Sequence, residues 1–288
     1  MYLPDFEYYA PDNIAEASKL LTQFGEKAKL FAGGTDILVK MKNEVLAPEV
    51  LISTKNLGMK EIEYVSGKGV VIGARCTHND LVKSETLAKK YASVSNAARQ
   101  MAHNQVRNVG TVAGNISNAV PSADLPPIFI SLDATVKLVG SNGERTVAME
   151  DLFTGPGKTV LAQDELITEV VVPDQKMTGS TYIKFGLRKS GALAVVGVAV
   201  AVQVENNVIK DARIALGAVA PTPVRAKKTE EFLKGKTVSD ELLAEAGVIA
   251  SAECKPISDI RASAEYRTDL IRIFTKRALR KAIDEGHV

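Results

Sequence analysis

The sequence contains no tryptophan, three histidines and two cysteines in 288 residues. A protein-held iron–sulfur cluster usually takes about four cysteine ligands, so Cys76 and Cys254 cannot hold one alone. Neither has a second cysteine or a histidine at ligand spacing, so no metal site is expected. One disulfide between them is formally open, but two such cysteines read as reduced thiols of a cytosolic protein. Long apolar runs are missing too, and no window reaches the roughly 20 residues a membrane helix requires. Charge of one sign is also lacking: 36 basic residues oppose 34 acidic ones, leaving +2. That balance excludes an acidic tail and a surface built to track a polyphosphate, so no nucleic-acid role follows from charge. The opening MYLPDFEYYAPDN has acids and a proline where a signal peptide has basic and then apolar residues. A soluble, cytoplasmic protein with no membrane partner is therefore expected.

What is present is a globular composition, 45% apolar and 24% charged, enough for one large or two ordinary domains. Asp12 or Asn13 can cap a helix whose apolar residues Ile14, Ala17, Leu20, Leu21 and Phe24 recur at helical spacing up to Gly25. A short apolar run, Ala28 to Ala32, then meets Gly33-Gly34-Thr35-Asp36 and a helix start, and Val50-Leu51-Ile52 is a second strand. From Gly69 another buried strand is expected, after which Thr77 and Asp80 form a capping box for a helix running to about Met101. The stretch 104–127 is dense in Gly, Asn, Ser and Pro without either period and reads as a long binding loop. Asn142-Gly143 signals a hairpin between Ala134–Val139 and Arg145–Val147, and Thr168–Val172 is a further strand. The polar run 174–180 is the best domain boundary. Beyond it, Thr181–Phe185, Ala194–Val204 and Val208–Ala218 read as an antiparallel meander, followed by helices at Thr229–Leu233, Ser239–Cys254 and Ala264–Ile283. The last should bury Tyr266, Leu270, Ile273, Phe274, Ala278 and Ala282. No internal repeat is present.

Two segments could carry chemistry. Paired glycines at Gly33-Gly34 let a backbone approach a phosphate, and the following helix start offers free N–H groups. The tetrapeptide is neither a P-loop nor a dinucleotide fingerprint, and an ordinary strand-to-helix turn would look the same. The second segment, Thr111 to Pro126, supplies hydroxyls, amides, a glycine and one carboxylate suited to a polyol, a ribose or a pyrophosphate. It holds no nucleophile with an adjacent base. His103, just upstream, reads as a helix-end residue.

Taken together, four passages resemble the flavin-binding medium subunit of the molybdenum hydroxylases, the family of xanthine, nicotinate and aerobic carbon monoxide dehydrogenases. They are LFAGGTDILVKMK, QVRNVGTVAGNISNAVPSADLPP, YIKFGLRKSGALAVVGVAV and DIRASAEYRTDLIRIFTKRAL, in that order. The resemblance implies an α+β chain: a two-subdomain FAD-binding domain of the vanillyl-alcohol-oxidase-like (PCMH) type over 1–175, divided at about 56/57. A C-terminal α+β domain over 176–288 follows, of the carbon monoxide dehydrogenase flavoprotein type, with a three-stranded antiparallel sheet and helices.

The resemblance further implies that Lys29, Leu30, Phe31, Ala32, Gly33, Gly34, Thr35, Asp36 and Ile37 wrap the FAD pyrophosphate. Gly110, Thr111, Gly114 and Asn115 would continue that cradle, with Asn118 close by and Asp124 bonded to sugar or polyol hydroxyls. Met101 or Ala102, Ile167 and Lys184 would approach the flavin. No residue is assigned as catalytic. Partners would be a small subunit with [2Fe–2S] clusters and a large molybdopterin subunit, with NAD(P)+ or another compound as acceptor and an N-heterocycle as substrate. The first loop reads AGGTD rather than the AGGQS of some carbon monoxide and quinoline-type members, which leans toward the xanthine and nicotinate branch. The second has Ala113 where many relatives have glycine, tolerable unless that position needs positive φ. The extra cluster of the benzoyl-CoA-type members is excluded by the cysteine count.

Two rivals are a stand-alone flavin oxidase with its own substrate pocket and a non-enzymatic nucleic-acid or scaffold protein. Some of the former attach flavin through histidine, and only His78, His103 and His287 are available. The latter would use the basic residues between Arg261 and Lys281, which a solvated helix face or a docking surface explains as well.

Overall fold

A computed structural model describes residues 3–285; His287 lies outside them. The chain begins with β1 (Glu7–Tyr9), α1 (Ile14–Phe24), β2 (Ala28–Phe31), α2 (Ile37–Lys42) and β3 (Val50–Ser53). β3 lies between β1 and β2, parallel to both, because each return crosses through a helix or a long loop. α1 starts where Asn13 accepts the Glu16 N–H at 2.8 Å, which decides between the two candidate caps. Its Ala17 and Leu21 join Ala28, Val50 and Ile52 in a small core. Asn13→Ala should cost about 1 kcal/mol of stability, read as a lower urea midpoint with flavin content unchanged.

The middle region comprises β4 (Ile62–Val65), β5 (Gly69–Gly73), α3 (His78–Lys83), α4 (Glu85–Lys90), α5 (Ala92–Gln100), α6 (Asn104–Arg107), α7 (Val112–Ser117) and α8 (Leu125–Ser131). It closes with β6 (Thr135–Gly140), β7 (Gly143–Ala148), the small hairpin β8 (Phe153–Gly155) and β9 (Lys158–Thr159), and β10 (Leu166–Val172). Its sheet is antiparallel in the order β4-β5-β10-β6-β7.

Three expectations are corrected here. The single helix to Met101 is three helices, although its capping box of Thr77 and Asp80 is present. Ser84 leaves helical geometry (ψ 117°) and caps α4 through the Leu87 N–H, while the Tyr91 hydroxyl is held by the Pro173 carbonyl at 2.6 Å. The supposed long loop holds α6, α7 and α8. Its polar and proline residues are helix punctuation: Thr111 caps α7, and Pro126 and Pro127 occupy the first turn of α8, where no N–H is needed. The hairpin at residue 142 is also shifted by one: Gly140 faces Gly143, so Ser141-Asn142 form the turn and Gly143 takes φ +110°.

Beyond it lie β11 (Gly179–Phe185), β12 (Val196–Glu205), β13 (Val208–Gly217), the two-residue β14 (Val224–Arg225), α9 (Lys227–Leu233), α10 (Asp240–Ala252) and α11 (Ala264–Asp284). β11 to β14 form an antiparallel sheet in chain order, one short strand more than expected. β12 is buried on both faces, and its sequence shows why. Val196, Val198, Val200 and Val202 face the core shared with α10 and α11, whereas Ala199 and Ala201 face α8 in the middle region's core. Small residues on that face leave room for α8, all seven residues of which are buried.

α11 buries Leu270, Ala278 and Ala282 as expected, but Tyr266 is 47% exposed, and Arg267, Ile271, Thr275 and Leu279 are buried as well. Arg267 donates to the carbonyls of Val195 (2.7 Å) and Ala218 (3.1 Å) and to Asp259 (2.8 Å). Arg261 first, then Arg267, hold the Asp259 carboxyl well below the usual carboxylate range. Arg280 pairs with Asp240 and Asp284. Arg261, Arg267 and Arg280 are therefore engaged within the fold. No helix among the described residues is long and apolar enough to cross a membrane.

Candidate functional site

Between the first sheet, the middle region and the β11–β12 connection lies a cavity of about 820 Å³. Two backbone segments define its wall. The first runs from the end of β2 to the start of α2, and the second from α6 through α7. They touch at Gly33: a Cβ there would stand 1.9 Å from the Val109 carbonyl oxygen and 3.1 Å from the Gly110 Cα. Gly34 follows at φ +74°, which favours a residue without Cβ. The N–H groups of Gly33, Gly34, Thr35 and Asp36 donate to no group among the described residues.

The two segments are also tied by side chains. Lys40 donates to Asn118 Oδ1 at 2.7 Å, and Asn118 Nδ2 donates to Asp36 Oδ1 at 2.9 Å. Thr111 accepts the Gly114 N–H at 3.1 Å and so starts α7. Ala113 sits in helical backbone rather than at positive φ, which explains why alanine is tolerated there. Asn115 presents a buried Oδ1 with no partner among the described residues. At the base, Asp124 is 4% exposed and receives the Tyr182 hydroxyl (2.8 Å) and the Lys184 ammonium (2.7 Å). Burial raises its carboxyl above the ordinary range, opposed by Lys184 and Tyr182.

The cavity gathers nearly all the residues singled out from the sequence. Lys29, Leu30, Ala32 to Ile37, Met101, Ala102, Gly110, Thr111, Gly114, Asn115, Asn118, Asp124 and Ile167 line it. Phe31 and Lys184 do not. The Phe31 ring lies edge-on to Tyr8 at 6.5 Å. Lys184 is engaged beneath the surface by Asp124 and the Gln100 carbonyl. Ile167 reaches the cavity at a register shift between Ile167 and Glu169, where a bulge re-aims the side chain. Ala102 holds φ +41°, and its carbonyl accepts the Gly191 N–H at 3.1 Å.

Residues 4–175 match the family model described as the FAD binding domain in molybdopterin dehydrogenase, and residues 181–282 match the CO dehydrogenase flavoprotein C-terminal domain. The chain belongs to the FAD-binding medium subunits of the molybdenum hydroxylases. It is 38% identical to the carbon monoxide dehydrogenase medium chain of Hydrogenophaga pseudoflava, covering 98% of both chains. It is 34% identical to the nicotine 6-hydroxylase medium subunit of Paenarthrobacter nicotinovorans, over 98% of this chain and 99% of that one. A solved carbon monoxide dehydrogenase from H. pseudoflava, in a form lacking the Mo-pyranopterin moiety, superposes with a TM-score of 0.96 at 37% identity, covering 99% of this chain and 100% of that chain.

The medium subunit's cavity fits FAD on its own terms. Free N–H groups along Gly33 to Asp36 suit phosphate oxygens, the unpartnered Asn115 amide suits a hydroxyl, and the apolar Leu30, Ile167 and Met101 suit a ring. Lys29, Lys40 and Arg75 outnumber the carboxylates Asp36 and Asp124 around the wall, as a dianionic pyrophosphate requires. No group of three or more His, Cys, Asp or Glu side chains among the described residues could hold a metal. His103 is exposed, and its ring hydrogen-bonds the Gln105 side chain. Cys76 and Cys254 are unbridged, and burial pushes both thiols up to about 12.

Sequence reading passed over Lys40, Arg75, His78 and the Gly191–Leu193 connection, all of which line the cavity. Lys40 was within reach, lying four residues after Asp36 on one face of α2. The others arrive through tertiary contacts that carry no local period.

Proposed function

We propose that the chain is the electron-transfer subunit of a molybdenum hydroxylase complex. It takes electrons from [2Fe–2S] clusters on a small partner and delivers them to NAD(P)+ or another acceptor. A large molybdopterin partner hydroxylates an N-heterocycle of the purine or nicotinate kind. We assign residues 1–175 to FAD binding, with parts 1–56 and 57–175, and 176–288 to the companion domain. The observation that carries this reading is the meeting of two glycine-bearing segments around a cavity whose polar groups await a partner. When bound, FAD supplies the redox chemistry. The chain's residues then bind, orient and shield it: Gly33 to Asp36 offer N–H donors, Asn118 and Lys40 lock the segments together, and Asp124 anchors the floor. The likeness to a nicotine 6-hydroxylase medium subunit supports a heterocyclic substrate class.

Purification from the native host should give a yellow complex containing molybdenum and iron, and heterocyclic substrate should drive NAD+ reduction. A chain that purifies alone with oxidase turnover would overturn the complex. Carbon monoxide or an aldehyde as substrate, with heterocycles inert, would overturn only the substrate class.

A further inference from the structure

His78 is a buried polar group in the cavity wall that the roles above leave unused. It is 1% exposed, and its Nδ1 is buried without a hydrogen-bond partner among the described residues. The backbone that carries the imidazole is fixed on several sides. The His78 backbone N–H donates to the Gly110 carbonyl at 3.1 Å, the Thr77–Asp80 capping box fixes the helix start, and the neighbouring Asn79 amide donates to Asn104 and Asn108. The Cδ2–Nε2 edge is turned toward Gly110: a Cβ on that glycine would lie 3.2 Å from Cδ2 and 3.5 Å from Nε2. Gly33 in turn rests on the Val109–Gly110 peptide. His78 therefore stands directly behind the contact between the two FAD segments.

The tautomer follows from hydrogen-bond accounting. Burial, then the nearby Arg107, push the imidazole down to about 4, so the ring is neutral and carries a single N–H. A proton on Nδ1 would be an orphaned buried donor, costing about 1–3 kcal/mol. An unused acceptor lone pair is the more tolerated defect. The proton therefore belongs on Nε2, the nitrogen on the side of the glycine contact. We propose that His78 is a positioning residue of the FAD site, a neutral donor whose Nε2–H takes an oxygen acceptor of the bound cofactor. The proposal rests on the reading of this cavity as the FAD site.

The test uses the full chain stripped of flavin and titrated with FAD, followed by quenching of flavin fluorescence. His78→Leu should bind about tenfold more weakly, the loss of a hydrogen bond of ordinary strength. His78→Gln, which keeps a donor, should recover most of that loss. In wild-type chain labelled with ¹⁵N-histidine, the His78 resonances should show Nε2 protonated and Nδ1 bare, and the Nε2 proton should exchange more slowly once FAD binds. A leucine variant that binds FAD like wild type, or a proton found on Nδ1, overturns the proposal while leaving the site intact. Wild-type chain that takes up no FAD would instead overturn the site itself. Should the leucine variant not fold, the glutamine variant and the wild-type resonances decide.

Discussion

Replacing Gly33 by alanine is expected to yield a chain that purifies without flavin. The added Cβ would lie 1.9 Å from the Val109 carbonyl oxygen and 2.6 Å from its carbonyl carbon, both backbone atoms that no rotamer change can move. The first segment must then lift off the second, which breaks the spacing of donors along Gly33 to Asp36 and strains the Lys40–Asn118–Asp36 bridge. Overpacking of this kind costs about 1–3 kcal/mol or somewhat more. If most of that falls on the bound state, FAD affinity drops about 100-fold. Gly34→Ala meets side chains rather than backbone, and its penalty is the positive φ, about 1 kcal/mol and so roughly a fivefold to tenfold loss. The ratio of flavin to protein absorbance measures both, with far-UV circular dichroism to confirm folding. A flavin-replete Gly33→Ala chain would mean that the two segments are not in contact.

That glycine was legible in the sequence because its role is carried by its identity: only a residue without Cβ permits such an approach. The same holds for Asn13 and Ser239, which cap α1 and α10. Longer elements were legible through their periods, as in α1 and the β11–β13 meander. What escaped was set by contacts distant along the chain. Ser84 and Tyr91 divide what reads as one apolar helix: the Ser84 hydroxyl takes the Leu87 N–H and starts a new helix, and the Tyr91 hydroxyl finds the Pro173 carbonyl 82 positions away. α6 and α7, at four and six residues, are too short for a period to emerge. Arg267 looked like one member of a basic helix face, yet three acceptors drawn from residues 195, 218 and 259 make its burial possible. The Val/Ala alternation of β12 was readable but ambiguous, since an apolar strand does not announce which neighbour takes its small face. In the cavity the segments were readable and their ties were not: nothing local pairs Asn118 with Asp36, 82 positions away.

Asp124→Ala should cost both stability and flavin, and the two losses can be separated. The carboxylate binds the Lys184 ammonium at 2.7 Å, with both side chains under 10% exposed, and also accepts the buried Tyr182 hydroxyl. Removing one partner of a buried ion pair leaves an uncompensated charge and costs about 3–5 kcal/mol, so a clear fall in the unfolding midpoint is expected. Flavin loss would follow trivially if the chain simply unfolded. The combined variant Asp124→Leu, Tyr182→Phe and Lys184→Met removes that ambiguity, because replacing a buried polar cluster by apolar groups of similar size is often neutral. Its unfolding midpoint should return toward wild type. If Asp124 also bonds a hydroxyl of FAD from the cavity floor, the combined variant should still bind FAD about 10–100-fold more weakly, the loss of a hydrogen bond to a charged group. Recovery of stability together with full affinity would confine Asp124 to joining β11 to the floor beneath the flavin. Lost affinity in a well-folded chain would make the same carboxylate both the anchor of the companion domain and a ligand of the cofactor. Lys184, which does not line the cavity, would then act on the flavin only through it.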